Sequence, residues 1–324
     1  MNTLNEISAP VQQAMDEFNV QFRATLQTES PLLNRIIRYI LKRKGKQMRP
    51  LFIFLSALLN GKITDSTDHA ASLIELLHTA TLVHDDVVDE SDERRGLFSV
   101  NALWKNKAAV LVGDYLLSRG LSLSLQYGEH VMLEMVTQAV KEMSEGELLQ
   151  IEKARFLNIT EETYLEIIRK KTASLIAVCC SCGAYSAGAS KENIEKMHAF
   201  GKNAGIAFQI KDDLFDFQKA NQTGKPVGLD LQERKMSLPV IYLLNHSGFA
   251  ERRSIINIIK NHNHDPEKVN SVIEKVRNSP GIDYTTGRMI EYRDEAIKIL
   301  KTFPEHPART SLEQLVIFTT DRNY

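Results

Sequence analysis

Cysteine is almost absent from the 324 residues: three occur, Cys179, Cys180 and Cys182, all within the run L-I-A-V-C-C-S-C-G-A-Y. Adjacent cysteines in an apolar helix suit small core residues, not a disulfide framework. A zinc site would need a fourth ligand and another spacing. Net charge is equally scarce. The 40 basic and 41 acidic residues leave −1, so no global field draws the chain to nucleic acid, and local clusters must carry any anion binding. No apolar run approaches the length of a membrane span. The polar N-terminus (Asn2, Asn5, Glu6, Asp16, Glu17) shows no signal peptide, and the cytoplasm is the expected compartment. Glycine-rich phosphate signatures of the P-loop or dinucleotide kind are missing, which disfavours a nucleotide ligand. Convincing strand patterns, tandem repeats and low-complexity linkers are missing too.

What is present is helical pattern. Apolar residues at 43% and charged ones at 25% are ordinary globular values with ample material for a large core. The spacing predicts helices over 4–28, 31–41, 51–59, 66–90, 107–126, 129–154, 161–187 and 190–218, with a short one carrying Trp104 after a Ser99 cap. Five more follow at 238–245, 250–261, 266–278, 284–302 and 307–319. Thr64, Thr67, Thr160 and Ser190 are the natural N-caps. The stretch 221–236, rich in Gly and Pro, reads as an ordered loop without helical period. Leu4, Ile7, Val11, Met15, Phe18 and Phe22 give the first helix a face that can cap the core or dock a partner subunit. The expected fold class is all-α in one domain: 1–30 an N-terminal helix, 31–245 the core that holds the site, and 246–324 C-terminal helices.

Two carboxylate clusters interrupt this pattern. Asp85, Asp86 and Asp89 stand among Leu82, Val83, Val87 and Val88, and the spacing recurs at Asp212, Asp213 and Asp216. In a helix, i and i+4 share a face and i+1 lies about 100° round it. Ionised carboxylates are costly in a dry setting unless neutralised, so the pattern predicts a cation held on a buried wall. Hard oxygens suit Mg²⁺, which shares its shell with substrate phosphates. One such pattern is commonly a solvated acidic face; two copies, each flanked by apolar residues, argue for metal. Cations stand nearby in sequence. Lys46 and Arg49 precede or open a helix, a natural phosphate position. Arg94 and Arg95 follow the first cluster, Lys171 interrupts an apolar helix, and Lys225 and Lys235 flank the loop after the second. Singly each is more often a surface charge; together they describe a site for two diphosphates. His78 can reach the same cavity or serve as a core histidine. His84-Asp85 matches the doublet of helical metal phosphohydrolases superficially, but His69, His78 and His198 are not placed to complete that site.

These residues resemble the trans-isoprenyl diphosphate synthases, or polyprenyl synthetases. The likeness runs from about residue 32 to 315 and rests on G-K-Q-M-R-P (45–50), H-T-A-T-L-V-H-D-D-V-V-D-E-S-D-E-R-R-G (78–96), G-E-L-L-Q (146–150), K-T-A-S-L (171–175), F-Q-I-K-D-D-L-F-D (208–216) and G-K-P-V-G-L-D (224–230). Around the first cluster it is strongest to bacterial long-chain members, the octaprenyl-forming ones included. The resemblance implies the isoprenoid synthase fold, a bundle of about ten or more helices around a central cavity. It implies Asp85, Asp89 and Asp212 as direct ligands of up to three Mg²⁺ ions, with Asp86, Asp213 and Asp216 completing the metal shell. Arg94, Lys171, Lys225 and Lys235 would hold an allylic diphosphate. Lys46, Arg49, His78 and Arg95 would hold isopentenyl diphosphate, and Thr172 and Gln209 would line the reacting centre. After Asp230 the family often has Gly-Lys where this chain has Arg234-Lys235, a departure that loosens the assignment of Lys235.

The chemistry implied is ionisation of the allylic diphosphate, attack on the cation by isopentenyl diphosphate, and loss of a proton. Product length follows from geometry. One helical turn rises about 5.4 Å, close to an isoprene unit. One turn before Asp85 stand the small Ala80 and Thr81, where short-chain members often carry an aromatic block; Leu77, Ile74, Leu73 and Ala70 continue without a plug. A long, octaprenyl product for a quinone side chain is expected, with shorter farnesyl or geranylgeranyl products as the alternative. A class I terpene cyclase and a non-catalytic synthase subunit are the more distant rivals. The family further implies a homodimer, with at most a peripheral membrane contact for product release.

Overall fold

The computed structural model describes residues 3–42, 47–94, 97–217 and 228–321. Helices make up nearly all of it, and several begin where a hydroxyl side chain satisfies a first-turn amide. The hydroxyls of Ser99, Thr160 and Ser190 accept from the amides of Ala102, Thr163 and Asn193. Helix α1 (Leu4–Ser8), a 3₁₀ turn (Ala9–Val11) and α2 (Gln12–Thr25) replace the single N-terminal helix expected. Pro10 is the reason, since it lacks the amide a continuous helix requires. Ile7, Val11, Met15, Phe18 and Phe22 are buried, so this segment caps the core.

Helices α3 (Pro31–Lys42), α4 (Met48–Asn60) and α5 (Asp65–Val88) follow. The α5 start is tied down twice: the Thr64 amide donates to Thr67 Oγ1 at 3.1 Å, and the Thr64 hydroxyl donates to the Ser186 carbonyl at 3.0 Å. Contrary to expectation, a small strand pair occurs. Residues Glu93–Arg94 (β1) and Leu97–Phe98 (β2) pair antiparallel, Glu93 opposite Phe98. Helix α6 (Val100–Gln126) absorbs the two helices anticipated there, with Lys105 at φ +71° marking the join between them. By length and composition alone helix α6 could cross a membrane, a test that packed core helices pass as well, and its Ala109, Val112, Leu116 and Leu123 are buried in the fold. It packs along α5, and Arg119 Nε donates to the Thr25 carbonyl at 2.9 Å.

Helix α7 (His130–Phe156) leads to α8 (Glu161–Ile168), a π-helical segment (Arg169–Ala173) and α9 (Ser174–Ser186). The polar triplet Lys170, Lys171 and Thr172, which broke the apolar pattern, is thus a widened turn; such π-bulges gather at functional sites. Two glycines let neighbouring helices close on it. A Cβ at Gly146 of α7 would meet Lys170 Cβ at 2.8 Å, and one at Gly205 would meet Ala173 Cα at 2.6 Å. Gly205 belongs to α10 (Lys191–Phe215), after which come α11 (Leu229–Gln232), α12 (Leu238–His246), α13 (Phe249–Asn261), α14 (Pro266–Arg277), α15 (Gly281–Leu300) and α16 (Pro307–Asp321). The one-turn α11 lies in the stretch read as pure loop. Two apolar cores meet along α10, whose Phe200 and Ala204 join one and whose Ile206 and Ile210 join the other. The cysteines are inert packing: all three are fully buried, and burial pushes the Cys179 thiol up to about 12.

Candidate active site

The two carboxylate clusters sit at the C-terminal ends of α5 and α10. Asp85 and Asp86 are in the last turn of α5, and Asp89 is the residue that ends it, its amide donating to the Asp85 carbonyl at 2.8 Å. Asp86 is buried at 2% exposure, but Asp85 and Asp89 are exposed, as is Val88. The dry wall expected for this cluster is therefore an open mouth. The final turn of α5 projects past the packed core, and Asp86, about 100° round the helix, is the one that turns inward.

The second cluster is drier and better tethered. Asp213 is buried and takes two side-chain donors, Tyr164 Oη to Oδ2 at 2.7 Å and Gln209 Nε2 to Oδ1 at 2.8 Å. Thr172 donates in turn to Gln209 Oε1 at 2.8 Å, so the π segment, α8 and α10 share one hydrogen-bonded chain. Asp216 binds backbone: Oδ1 accepts from the Gly228 and Leu229 amides at 3.1 and 3.0 Å, and Oδ2 from Asp230 at 3.2 Å. Its carboxylate thereby holds the chain that enters α11, where Gly228 has φ +83°.

The electrostatics record an excess of buried negative charge. Burial pushes the Asp213 carboxyl up to about 7, opposed by its Tyr164 and Gln209 donors and reinforced by Asp212 and Asp216. Burial also raises Asp216, and it raises Asp230 well above the carboxylate range with help from Asp213 and Asp216. Lys235 answers this field. Burial disfavours its charge, yet Glu233, Asp230 and Asp89 more than compensate and hold its amine above the ordinary value. Asp89 belongs to the first cluster and Asp230 adjoins the second, so Lys235 is the cation that senses both.

A cavity of about 220 Å³ opens here, its wall including Tyr164, Lys171, Thr172, Gln209, Asp212 and Lys235. Lys171 is paired at 2.5 Å with Glu147 of α7. Five residues singled out from sequence thus converge with Asp213, while Asp85, Asp86, Asp89, Arg49 and His78 do not line this cavity. Arg49 is half-buried in the first turn of α4, and His78 is buried within α5. Helices α4, α5 and α9 pack on one another on that side, with Arg49 and Glu75 both close enough to influence the buried Cys179 thiol. Lys46, Arg95 and Lys225, and the side chain of Arg94, lie outside the described residues. Ala80, Leu77 and Ile74 are buried on α5, and Thr81 is half-buried with its hydroxyl donating to the His78 carbonyl at 2.8 Å.

Sequence reasoning passed over Tyr164, Glu147 and Asp230. A tyrosine seven residues before Lys171 looked like an ordinary amphipathic position. Only the packing of α8 on α10 shows that its hydroxyl meets Asp213. Among the described residues, no three His, Cys, Asp or Glu side chains form a ready-made metal cage.

The similarities to known proteins agree with this geometry. A family model described as Polyprenyl synthetase matches residues 30–276. The octaprenyl diphosphate synthase of Escherichia coli is 35% identical over 324 residues, all of this chain and 99% of the relative. In structure, a decaprenyl diphosphate synthase from Rhodobacter capsulatus superposes with a TM-score of 0.94 at 33% identity, covering 99% of this chain and 100% of that one. A polyprenyl synthase from Caulobacter crescentus, complexed with calcium and isoprenyl diphosphate, gives 0.92 at 31% identity over 99% and 98% of the two chains. With all-α architecture, paired aspartate clusters and full-length similarity in hand, the chain belongs to the polyprenyl synthetase family.

Proposed function

We infer that this prenyltransferase condenses isopentenyl diphosphate with an allylic diphosphate, head to tail and all-trans, to give a long-chain polyprenyl diphosphate, octaprenyl being the expected product. The observation that carries the reading is the cavity of about 220 Å³ whose wall brings Lys171 and Lys235 together with Asp212 and Asp213 of the second aspartate cluster, Lys235 being paired with Glu233 and drawn also by Asp230 and Asp89. Similarity to long-chain synthases along the whole chain supports the product class. The small Ala80 and Thr81 before Asp85 support a long product over a farnesyl or geranylgeranyl one.

The donor set fits a divalent cation. Asp213, Asp216 and Asp230 are all pushed up by burial, which is the signature of carboxylates wanting positive charge. Asp85, Asp89 and Asp212 would hold Mg²⁺, with Asp86, Asp213 and Asp216 supporting them. When bound, Mg²⁺ supplies positive charge against the diphosphate oxygens. Lys171 and Lys235, joined by Arg94 and Lys225, bind and orient the allylic diphosphate, and their charge stabilises it as it departs. Arg49, His78, Lys46 and Arg95 bind isopentenyl diphosphate. Thr172 and Gln209 fix the wall beside the reacting carbons, and the apolar residues of α5 keep water from the allylic cation. The exposed Leu103, Val110, Leu111, Leu121 and Leu125 of α6 support a homodimer across that helix. The same reading takes the enzyme as cytoplasmic, with a peripheral membrane contact when product leaves.

Incubation with Mg²⁺, labelled isopentenyl diphosphate and farnesyl diphosphate, followed by sizing of the products, tests this. A ladder ending at a long prenyl chain is expected. Release of cyclic hydrocarbons or alcohols, or no incorporation at all, would overturn it.

A further inference from the structure

We propose that Asn19 of α2 is a positioning residue for the isopentenyl diphosphate end of the site, acting through Gln47; the inference rests on the function proposed above. Residue 19 lies outside the stretch 30–276 that matches the family model, so the family assignment itself gives it no role.

The N-terminal helix is anchored immediately before it. Phe18 and Phe54 of α4 are fully buried and meet edge to face, ring centroids 5.7 Å apart. The next side chain, Asn19, is half-buried and forms a reciprocal amide pair with Gln47: Asn19 Nδ2 donates to Gln47 Oε1 at 3.2 Å, and Gln47 Nε2 donates to Asn19 Oδ1 at 2.5 Å. Asn19 Nδ2 also donates to the Met15 carbonyl at 2.8 Å, which fixes the amide's orientation on its own helix.

Gln47 is an unusual residue to hold. Its φ of +46° and ψ of 40° place it in the left-handed region, which side chains other than glycine seldom occupy. Its carbonyl accepts the Leu51 amide at 3.2 Å and so starts α4. The direction in which the chain enters α4 is therefore set at Gln47. Arg49 stands two residues later in the first turn of that helix, where the N-terminal amides and a guanidinium together suit a diphosphate. The amide pair spans 28 residues of sequence and clamps the left-handed residue two positions before Arg49. Asn19 does not touch substrate in this arrangement; it keeps the anion end of α4 in register with the core.

The test uses the full chain and its variants Asn19→Ala, Gln47→Ala and the double Asn19→Ala/Gln47→Ala. Calorimetric binding of isopentenyl diphosphate without allylic substrate, the KM of each substrate, and thermal unfolding are measured. Loss of a paired amide should weaken isopentenyl diphosphate binding and raise its KM about 3- to 10-fold. The allylic KM should stay within about twofold, and the double variant should be no worse than either single one. Asn19→Asp, which keeps an acceptor but faces Gln47 Oε1 with another oxygen, should behave like Asn19→Ala, whereas the exchange Asn19→Gln/Gln47→Asn should restore binding. Additive single effects, or a fall in Tm and kcat with unchanged isopentenyl diphosphate affinity, would overturn the inference alone. Failure of the unaltered chain to bind or incorporate isopentenyl diphosphate would overturn the proposed function and this inference with it.

Discussion

The Tyr164 hydroxyl donates to Oδ2 of Asp213 at 2.7 Å, joining α8 to the buried carboxylate of the second cluster. Burial and the carboxylate push the phenol well above its ordinary pKa, so it is a donor at any working pH. Tyr164→Phe leaves Asp213 with Gln209 as its remaining side-chain donor among the bonds described. A stability loss of about 1–3 kcal/mol is expected from an under-satisfied buried carboxylate. We expect kcat to fall about tenfold as well, since a loosened Asp213 also loosens its neighbour Asp212. Denaturant unfolding and steady-state kinetics check both, and wild-type values in each would show that the contact is incidental.

Gly146 should not tolerate a methyl group. The added Cβ would lie 2.8 Å from Lys170 Cβ and 3.0 Å from the Lys171 amide nitrogen, and the latter is backbone that cannot rotate away. Gly146→Ala is expected to cost about 1–3 kcal/mol through overpacking. It should raise the KM for the allylic diphosphate more than that for isopentenyl diphosphate, because Lys171 moves with the π segment. Equal changes in both values would argue against that coupling.

Product length can be shortened from within α5. Ala80 is 2% exposed while Thr81 is half-buried, so Thr81→Phe should be the better-folded variant of the two. Ala80→Phe should carry an overpacking cost of about 1–3 kcal/mol. Both are expected to end the product ladder several isoprene units early. A product distribution unchanged in both variants would mean that the chain grows along another wall.

Magnesium should bind poorly to the free protein and well in the presence of diphosphate. The described carboxylates form no closed cage, and Mg²⁺ readily completes its shell with phosphate oxygens. Titration calorimetry with Mg²⁺, alone and with inorganic pyrophosphate, should show affinity rising steeply in the second case. Chelation should abolish turnover and leave the helical circular dichroism intact. Tight Mg²⁺ binding without any diphosphate would contradict this view. In the same system, Asp85→Asn should lower kcat about 10²–10³-fold, because a neutral amide holds less well the Mg²⁺ that would offset the leaving group's charge.

A pH effect is expected far from the site. Burial, Asp65 and Glu17 push Asp68 up to about 6 against the pull of His69. Its folded value lies above the unfolded one of 3.8. The stability it contributes is therefore fully present below that unfolded value and is lost as pH rises through about 6. Asp68→Asn removes the titration, so its Tm relative to wild type should improve between pH 4 and pH 8. A constant difference across that range would mean that Asp68 titrates normally.

Much of this was legible in the chain. The i, i+4 spacing of Asp85 with Asp89 and of Asp212 with Asp216 needs only a helix to put paired carboxylates on one side. The apolar period supplies that helix in each case. Ser99, Thr160 and Ser190 marked helix starts for the same local reason: a hydroxyl within reach of first-turn amides. Lys170, Lys171 and Thr172 announced a break in the pattern, though not that the break is a π turn closed upon by Gly146 and Gly205.

Sequence alone determined most of the helices and the placing of two aspartate clusters on them, because periodicity and charge spacing act within a few residues. Only the tertiary structure decided that Asp86 is buried while Asp85 and Asp89 face outward, that Tyr164 and Gln209 meet on Asp213, that Asp216 spends its oxygens on the amides of residues 228–230, and that Asn19 clamps Gln47. Each of these depends on which helix face meets which neighbour, and that is set by packing between segments tens of residues apart.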